Sequence, residues 1–316
     1  ERYNMPLNNQ AKSVLEQRTA ANMPATDTIS PAQARVNSRV RPPLIGPNVA
    51  KEEDKLVTGS DGKLTARIFT PAGNGPFPVL VWFHGGGWVI GDLDRSDGVC
   101  RSMCTSADCI VVSVDYRLAP ETKFPGPVED CYEATKWIYE NALSLNGDPD
   151  EILVGGDSAG GNLAAAVSIM SKDRKTPNII FQVLVYPVIA KDFTTQSYKD
   201  NGESYGLTED TMVWFWDQYL KNESDADNPY AAPIKNKNPE GLPEAFLLTA
   251  EYDPLKDEGE AYAKFLNENL VKTEYICYEG MIHGFFGMID DVDASKQAIS
   301  DVASAIKSAV SKKALS

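Results

Sequence analysis

The stretch Glu151-Ile152-Leu153-Val154-Gly155-Gly156-Asp157-Ser158-Ala159-Gly160-Gly161-Asn162-Leu163-Ala164-Ala165-Ala166-Val167 decides the fold. Its opening residues, Glu151–Val154, form an apolar run that predicts a short buried strand. From Asn162 to Met170 the chain is rich in Ala, with Leu163 and Met170 beside them, which predicts a helix. Ser158 therefore falls on a sharp strand-to-helix turn, with Gly156 two residues before it and Gly160 two after. At those two positions a side chain would collide with neighbouring elements. Such a turn lifts the serine hydroxyl out of the sheet, and the N–H groups after it open a helix N-terminus that stabilises an anion. Alone, Gly-x-Ser-x-Gly is a weak signal in a chain with 23 glycines. The strand before and the helix after make it specific, against the alternative of a tight turn with a satisfied serine.

Outward from this turn, continuous apolar runs at Pro78–Phe83, Cys109–Val114, Ile179–Val185 and Ala245–Ala250 predict strands buried on both faces. Tyr275–Tyr278 is a shorter last strand, and Lys63–Thr70 alternates polar and apolar, as a half-exposed strand near a sheet edge does. Helical stretches near Val128–Leu145, Asn162–Lys172, Lys256–Leu270 and Ala294–Lys307 separate the strands. That alternation predicts an α/β fold with a mostly parallel sheet and helices on both faces. Residues 1–45 hold two short helices, one near Leu7–Ala21 and one starting at Ser30-Pro31, where an N-cap is followed by proline. This segment reads as a lid ahead of a catalytic domain spanning 46–316. Residues 190–225 interrupt the alternation with a heavy aromatic load, including Leu207, Trp214, Phe215 and Trp216. They read as a second lid piece whose apolar side chains line a pocket, or as a helix packing its own apolar face on the body.

At 316 residues and 42% hydrophobic, the chain can bury a large core. A formal charge of −15 argues against nucleic acid or an anionic membrane surface as partner. Neither a membrane-spanning run nor a signal-peptide pattern is seen, so a cytoplasmic protein without stable membrane insertion is expected. The chain starts at Glu1 without methionine, which leaves a removed leader open. Five cysteines, an odd count, speak against a disulfide framework. Cys100, Cys104 and Cys109 cluster, but no histidine lies nearby, and they read as small buried side chains rather than metal ligands. No metal is expected.

A serine nucleophile needs a base, an acid to orient the base, and donors for an oxyanion. The chain has two histidines, and each directly follows a predicted strand. His283 in Met281-Ile282-His283-Gly284-Phe285 is the candidate base, at the carboxyl edge that Ser158 also occupies. His84 opens His84-Gly85-Gly86-Gly87-Trp88, a loop whose glycines let backbone N–H groups approach a substrate closely, as an oxyanion hole requires. The acid should follow the strand between Ser158 and His283. Asp253 in Glu251-Tyr252-Asp253-Pro254-Leu255 fits, with Glu251 and Asp257 as fallbacks.

Taken together, these motifs resemble the bacterial branch of the hormone-sensitive-lipase-like carboxylesterases, which have the α/β-hydrolase fold. The likeness is carried by His84-Gly85-Gly86-Gly87-Trp88 with Gly91-Asp92-Leu93, by Asp115-Tyr116-Arg117-Leu118-Ala119-Pro120-Glu121, and by Gly156–Asn162. Tyr252-Asp253-Pro254-Leu255 and Ile282-His283-Gly284-Phe285 complete it, in the chain order Ser, Asp, His of that fold. Lys123 departs from relatives that often carry histidine in its stretch. The resemblance implies a serine ester hydrolase without cofactor, acting on short- to medium-chain acyl esters, with Ser158, Asp253 and His283 as its triad. It assigns the oxyanion donors to the backbone N–H groups of Gly86, Gly87 and Ala159. It makes Asp115 and Tyr116 supports of the glycine loop, builds a helical cap from residues 1–45 and 190–225, and offers Trp88, Leu207 and Phe215 as pocket walls. A small-molecule ester is the expected partner, and a homodimer is left open.

Three rival functions share these motifs. Plant gibberellin receptors resemble the family but have lost the triad histidine, which is present here as His283. An amide hydrolase would use the same triad. A true lipase would need a large exposed apolar surface, and the sequence shows no sign of one.

Overall fold

The structure, a computed structural model, describes residues 6–314. The first five residues of the expected N-terminal segment and the last two of the chain lie outside the described residues. In chain order the helices are α1 (Asn9–Ala20), α2 (Pro31–Ser38), α3 (Leu93–Ala107), α4 (Gly126–Asn141), α5 (Ala159–Arg174), α6 (Gln196–Asn201), α7 (Glu209–Tyr219), α8 (Lys256–Glu268) and α9 (Asp293–Ala314). The strands are β1 (Lys51–Gly59), β2 (Gly62–Thr70), β3 (Phe77–Phe83), β4 (Ile110–Val114), β5 (Gly147–Asp157), β6 (Ile179–Val185), β7 (Glu244–Tyr252) and β8 (Thr273–Ile282). Among the described residues they form one sheet in the order β1-β2-β4-β3-β5-β6-β7-β8. The β1–β2 and β2–β4 pairs are antiparallel, so β2 runs against the rest, and every pair from β4 through β3 to β8 is parallel.

Strand alternation sends successive side chains to opposite faces. Val79, Val81 and Phe83 of β3 join a core covered by α4, α5 and α8, while Leu80 and Trp82 join a second core under α3 and α9. Helix α5 is buried throughout its first thirteen residues, which explains why they are small or apolar, with four Ala beside Leu163, Val167, Ile169 and Met170. The predicted strands and helices fall on observed ones with shifted ends: β8 is longer than expected, and the helix expected to reach Leu145 ends at Asn141, followed by a short 3₁₀ turn. Two elements escaped the sequence reading. Strand β1 is mostly charged and open to solvent, so it carries no apolar signal, and its pairing with β2 across the Gly59–Gly62 turn holds it at the sheet edge. Helix α3 opens at Asp92, whose carboxylate accepts from the Arg95 N–H at 2.9 Å, and its buried face is built largely from small residues such as Ser96, Gly98, Cys100 and Cys104, which carry little apolar signal.

Between β6 and β7 the chain leaves the sheet to form α6, α7 and two short 3₁₀ turns. Helix α7 is capped by Thr208, whose hydroxyl accepts from the Thr211 N–H at 3.2 Å. The N-terminal segment meets this insertion directly: Thr211 donates its hydroxyl to Asp27 at 3.1 Å. Ser30 caps α2, as its sequence predicts. No helix among the described residues is long and apolar enough to cross a membrane.

Candidate active site

The turn between β5 and α5 holds Ser158 at φ +57° and ψ −117°, outside the regions open to ordinary residues. Close packing fixes it there. A Cβ on Gly160 would overlap the Phe83 carbonyl, and one on Gly156 would overlap the backbone of Gly160, so both positions require glycine. The Ser158 N–H donates to the Val185 carbonyl at 2.8 Å, and its own carbonyl accepts from Asn162 and Val188. The Asn162 side chain then donates to the carbonyls of Val188 and Ala231 at 2.9 and 2.8 Å, which ties the exit of β6 to α5.

Three side chains from three strand ends meet at this turn. His283 Nε2 lies 2.9 Å from Ser158 Oγ, and His283 Nδ1 lies 2.6 Å from Asp253 Oδ2. Asp253 is fully buried, and its other oxygen accepts from the Leu255 N–H at 2.9 Å. A carboxylate only accepts, and a neutral imidazole carries one proton, so Nδ1 holds it and the Nε2 lone pair faces the serine hydroxyl. Tyr186, buried just beyond β6, lays its ring 4.6 Å from the imidazole, and burial pushes its phenol well above the ordinary range. The fallback acids point elsewhere: Glu251 accepts from the Gly280 N–H at 2.6 Å, and Asp257 from the Ser197 N–H at 2.8 Å.

The glycine loop after β3 faces the same turn. Gly86 and Gly87 adopt φ of +117° and +57°, and among the described residues no acceptor takes their N–H groups. Ala159 opens α5, where the first amides have no acceptor inside the helix. Gly85 differs. Its N–H donates to Asp157 at 3.1 Å, and burial lifts that carboxyl above its usual range against the pull of His84 and the amide. His84 is no base here: it is nearly fully buried, its Nδ1 sits 2.7 Å from the Gly85 carbonyl, and its ring stacks on Tyr116 at 4.5 Å. The Tyr116 hydroxyl donates to the His84 carbonyl at 2.7 Å, whereas the Asp115 side chain is exposed and makes no hydrogen bond to the loop among the described residues.

The expected wall residues separate. A Cβ on Gly87 would overlap the Phe215 ring, so α7 packs directly against the loop through Phe215, with Leu207 half-buried ahead of it. Trp88 is fully buried with its ring flat on Tyr219 at 4.2 Å and beside Trp216 at 4.7 Å, under the loop rather than on an open surface. Lys123 donates to the Asp217 and Leu220 carbonyls at 2.7 and 2.9 Å, a cation at the C-terminus of α7. The five cysteines are unpaired thiols, four of them buried, and burial pushes Cys104 up to about 12. No group of three or more His, Cys, Asp or Glu among the described residues is placed to hold a metal. The sequence reading assigned no role to the Asp157 carboxylate, Tyr186 or Asn162. The signal for Asp157 and Asn162 lay inside the elbow motif, and that for Tyr186 in its place directly after a buried strand.

A family model of the α/β-hydrolase fold matches residues 80–287, which include every residue of this site. The chain belongs to this family, the hormone-sensitive-lipase-like branch that its motifs resemble. It is 37% identical over 292 residues to a carboxylesterase, NlhH, of Mycobacterium tuberculosis, covering 90% of this chain and 91% of that protein. Among solved structures, an ester-hydrolase from the metagenome of Lake Arreo, in complex with a bipyridine phosphonate derivative, superposes with a TM-score of 0.92 at 35% identity, covering 96% of this chain and 98% of that one. A hyperthermophilic esterase of Pyrobaculum calidifontis gives 0.89 at 38% identity, over 96% and 99% of the two chains.

Proposed function

We propose that this ester hydrolase is a serine carboxylesterase of short- to medium-chain acyl esters, working through an acyl-enzyme on Ser158. The observation that carries the reading is the aligned series Ser158 Oγ, His283 Nε2, His283 Nδ1 and Asp253 Oδ2, with separations of 2.9 and 2.6 Å at its two hydrogen bonds. His283 takes the serine proton as Oγ attacks the ester carbonyl, and Asp253 holds the tautomer and stabilises the imidazolium. The carbonyl oxygen turns negative next to the N–H groups of Gly86, Gly87 and Ala159, each contributing about 3 kcal/mol in comparable sites. Imidazolium then protonates the departing alcohol. In the second half His283 takes a proton from water, hydroxide attacks the acyl carbon, and Ser158 leaves with its proton restored.

Residues 1–45 and 190–225 serve as the cap in this reading. Support comes from the Thr211–Asp27 bond between them and from Gly206, which packs beside Arg18 and Leu15 of α1. Phe215 and Leu207 are walls of the acyl or the alcohol pocket in this reading. The Phe215 ring, packed on Gly87 next to the donor amides, favours substrates of limited size.

Hydrolysis of p-nitrophenyl esters from acetate to palmitate, beside the matched p-nitroanilides, tests the assignment. The expected result is highest kcat/KM on the shorter esters, steep decline at palmitate and little turnover of anilides. Faster turnover of anilides than esters, or an optimum at palmitate, would contradict it.

A further inference from the structure

The donor amides of Gly86 and Gly87 sit in a loop that glycine leaves free to move, so something must hold it in place. From the sheet side, Tyr116 fixes the His84 carbonyl and Asp157 fixes the Gly85 N–H. Within the loop, the N–H groups of Val89 and Ile90 close onto the Gly86 carbonyl at 3.1 and 2.9 Å. The outer side is held by a residue from outside the sheet. Arg35, on α2, donates Nε to the Val89 carbonyl at 2.8 Å and Nη2 to the Ala119 carbonyl at 2.8 Å. The Ala119 N–H in turn donates to the Trp88 carbonyl at 2.8 Å, which closes a ring of bonds around the loop's exit. Glu121 clamps the remaining edge of the guanidinium at 2.9 and 2.6 Å.

Resting on the serine-esterase reading above, we propose that Arg35 is a positioning residue that couples docking of the N-terminal segment to alignment of the oxyanion donors. Val89 and Ala119 are both fully buried, so their carbonyls have no water to fall back on when the guanidinium is removed. The loop then gains freedom where the Gly86 and Gly87 amides must meet a developing charge, and misaligned donors weaken the transition state more than the bound substrate. The planar fork matters: lysine carries a point charge that satisfies one carbonyl or Glu121 but cannot span both carbonyls in one plane. Arg39, at the C-terminal cap of the same helix, pairs instead with Asp92 at 2.8 Å and serves as the matched control.

The test compares Arg35→Met, Arg35→Lys and Arg39→Met with wild type on a p-nitrophenyl ester, with Ser158→Ala in parallel. It also measures inhibition by an aryl trifluoromethyl ketone, whose hemiketal places an oxyanion in the hole. Arg35→Met is expected to lower kcat about 30-fold or more with KM changed less than about threefold, and the inhibitor constant to rise in parallel with the loss of kcat/KM. Arg35→Lys falls between it and wild type, and Arg39→Met stays near wild type. A folded Arg35→Met with kcat within about threefold of wild type, or with unchanged ketone inhibition, overturns the proposal. If Arg35→Met does not fold, Arg35→Lys decides: wild-type kcat and ketone inhibition there overturn it as well. Activity surviving in Ser158→Ala would strike the serine reading itself, a separate outcome from any result at Arg35.

Discussion

At the scale of single residues, the chemistry turns on which nitrogen of His283 carries the proton. Asp253 is buried and only accepts, so it selects the Nδ1–H tautomer and leaves Nε2 basic toward Ser158. Asp253→Asn presents an amide that can donate to Nδ1 and select the other tautomer. Its kcat on a short-chain ester should fall by roughly 10³–10⁴ with the protein still folded. A loss below about tenfold would show that the imidazole is oriented by something else. The three side chains of the proposed triad were legible because each lies just past the end of a strand, β5 and β7 buried along the run that leads to the site and β8 buried over its last three residues. The supports were not. Arg35 bonds to residues 54 and 84 positions away, and nothing local to α2 marks it apart from a surface arginine. Trp88 was misleading for a related reason: an aromatic beside a glycine loop reads as a wall, but tertiary packing turned it under the loop onto Tyr219.

At the scale of elements, apolar periodicity located the strands that carry the site and was silent where an element earns its place by pairing. Strand β1 is charged along most of its length, and hydrogen bonding to β2 holds it. The insertion was legible as an aromatic-rich helix, but its docking point was not. Helix α7 reaches the glycine loop through Phe215 against Gly87 and is held at its C-terminus by Lys123. Gly87→Ala adds a methyl group that overlaps the Phe215 ring at a backbone φ of +57°, and should cost about tenfold or more in kcat. Phe215→Ala should then cost less in the Gly87→Ala background than in wild type, because it removes the overlap. Costs that simply add in this double-mutant cycle would place Phe215 away from the loop.

At the scale of the whole molecule, the sheet's carboxyl edge gathers Ser158, Asp253, His283 and the glycine loop from distant parts of the chain, and the insertion leaves from the same edge. Glu258 on α8 anchors that exit, accepting from the Ile189 and Ala190 N–H groups at 2.7 and 3.2 Å. Burial raises its carboxyl to about 8, against the pull of those two donors. The unfolded carboxyl has its ordinary value of 4.5, so through the window from there to about 8 the folded state keeps a proton the unfolded state has released. Stability from this group is therefore full below the window, falls as pH rises through it, and stays low above. Glu258→Gln, neutral at every pH, should raise Tm by roughly 3 °C near pH 9 and by less than about 1 °C near pH 5. An equal change at both would place the proton elsewhere. The most direct test of the whole arrangement is kcat of Ser158→Ala on the best short-chain ester, measured on protein whose folding is verified by circular dichroism. A loss on the order of 10⁴–10⁶ is expected. Activity within about tenfold of wild type would contradict it.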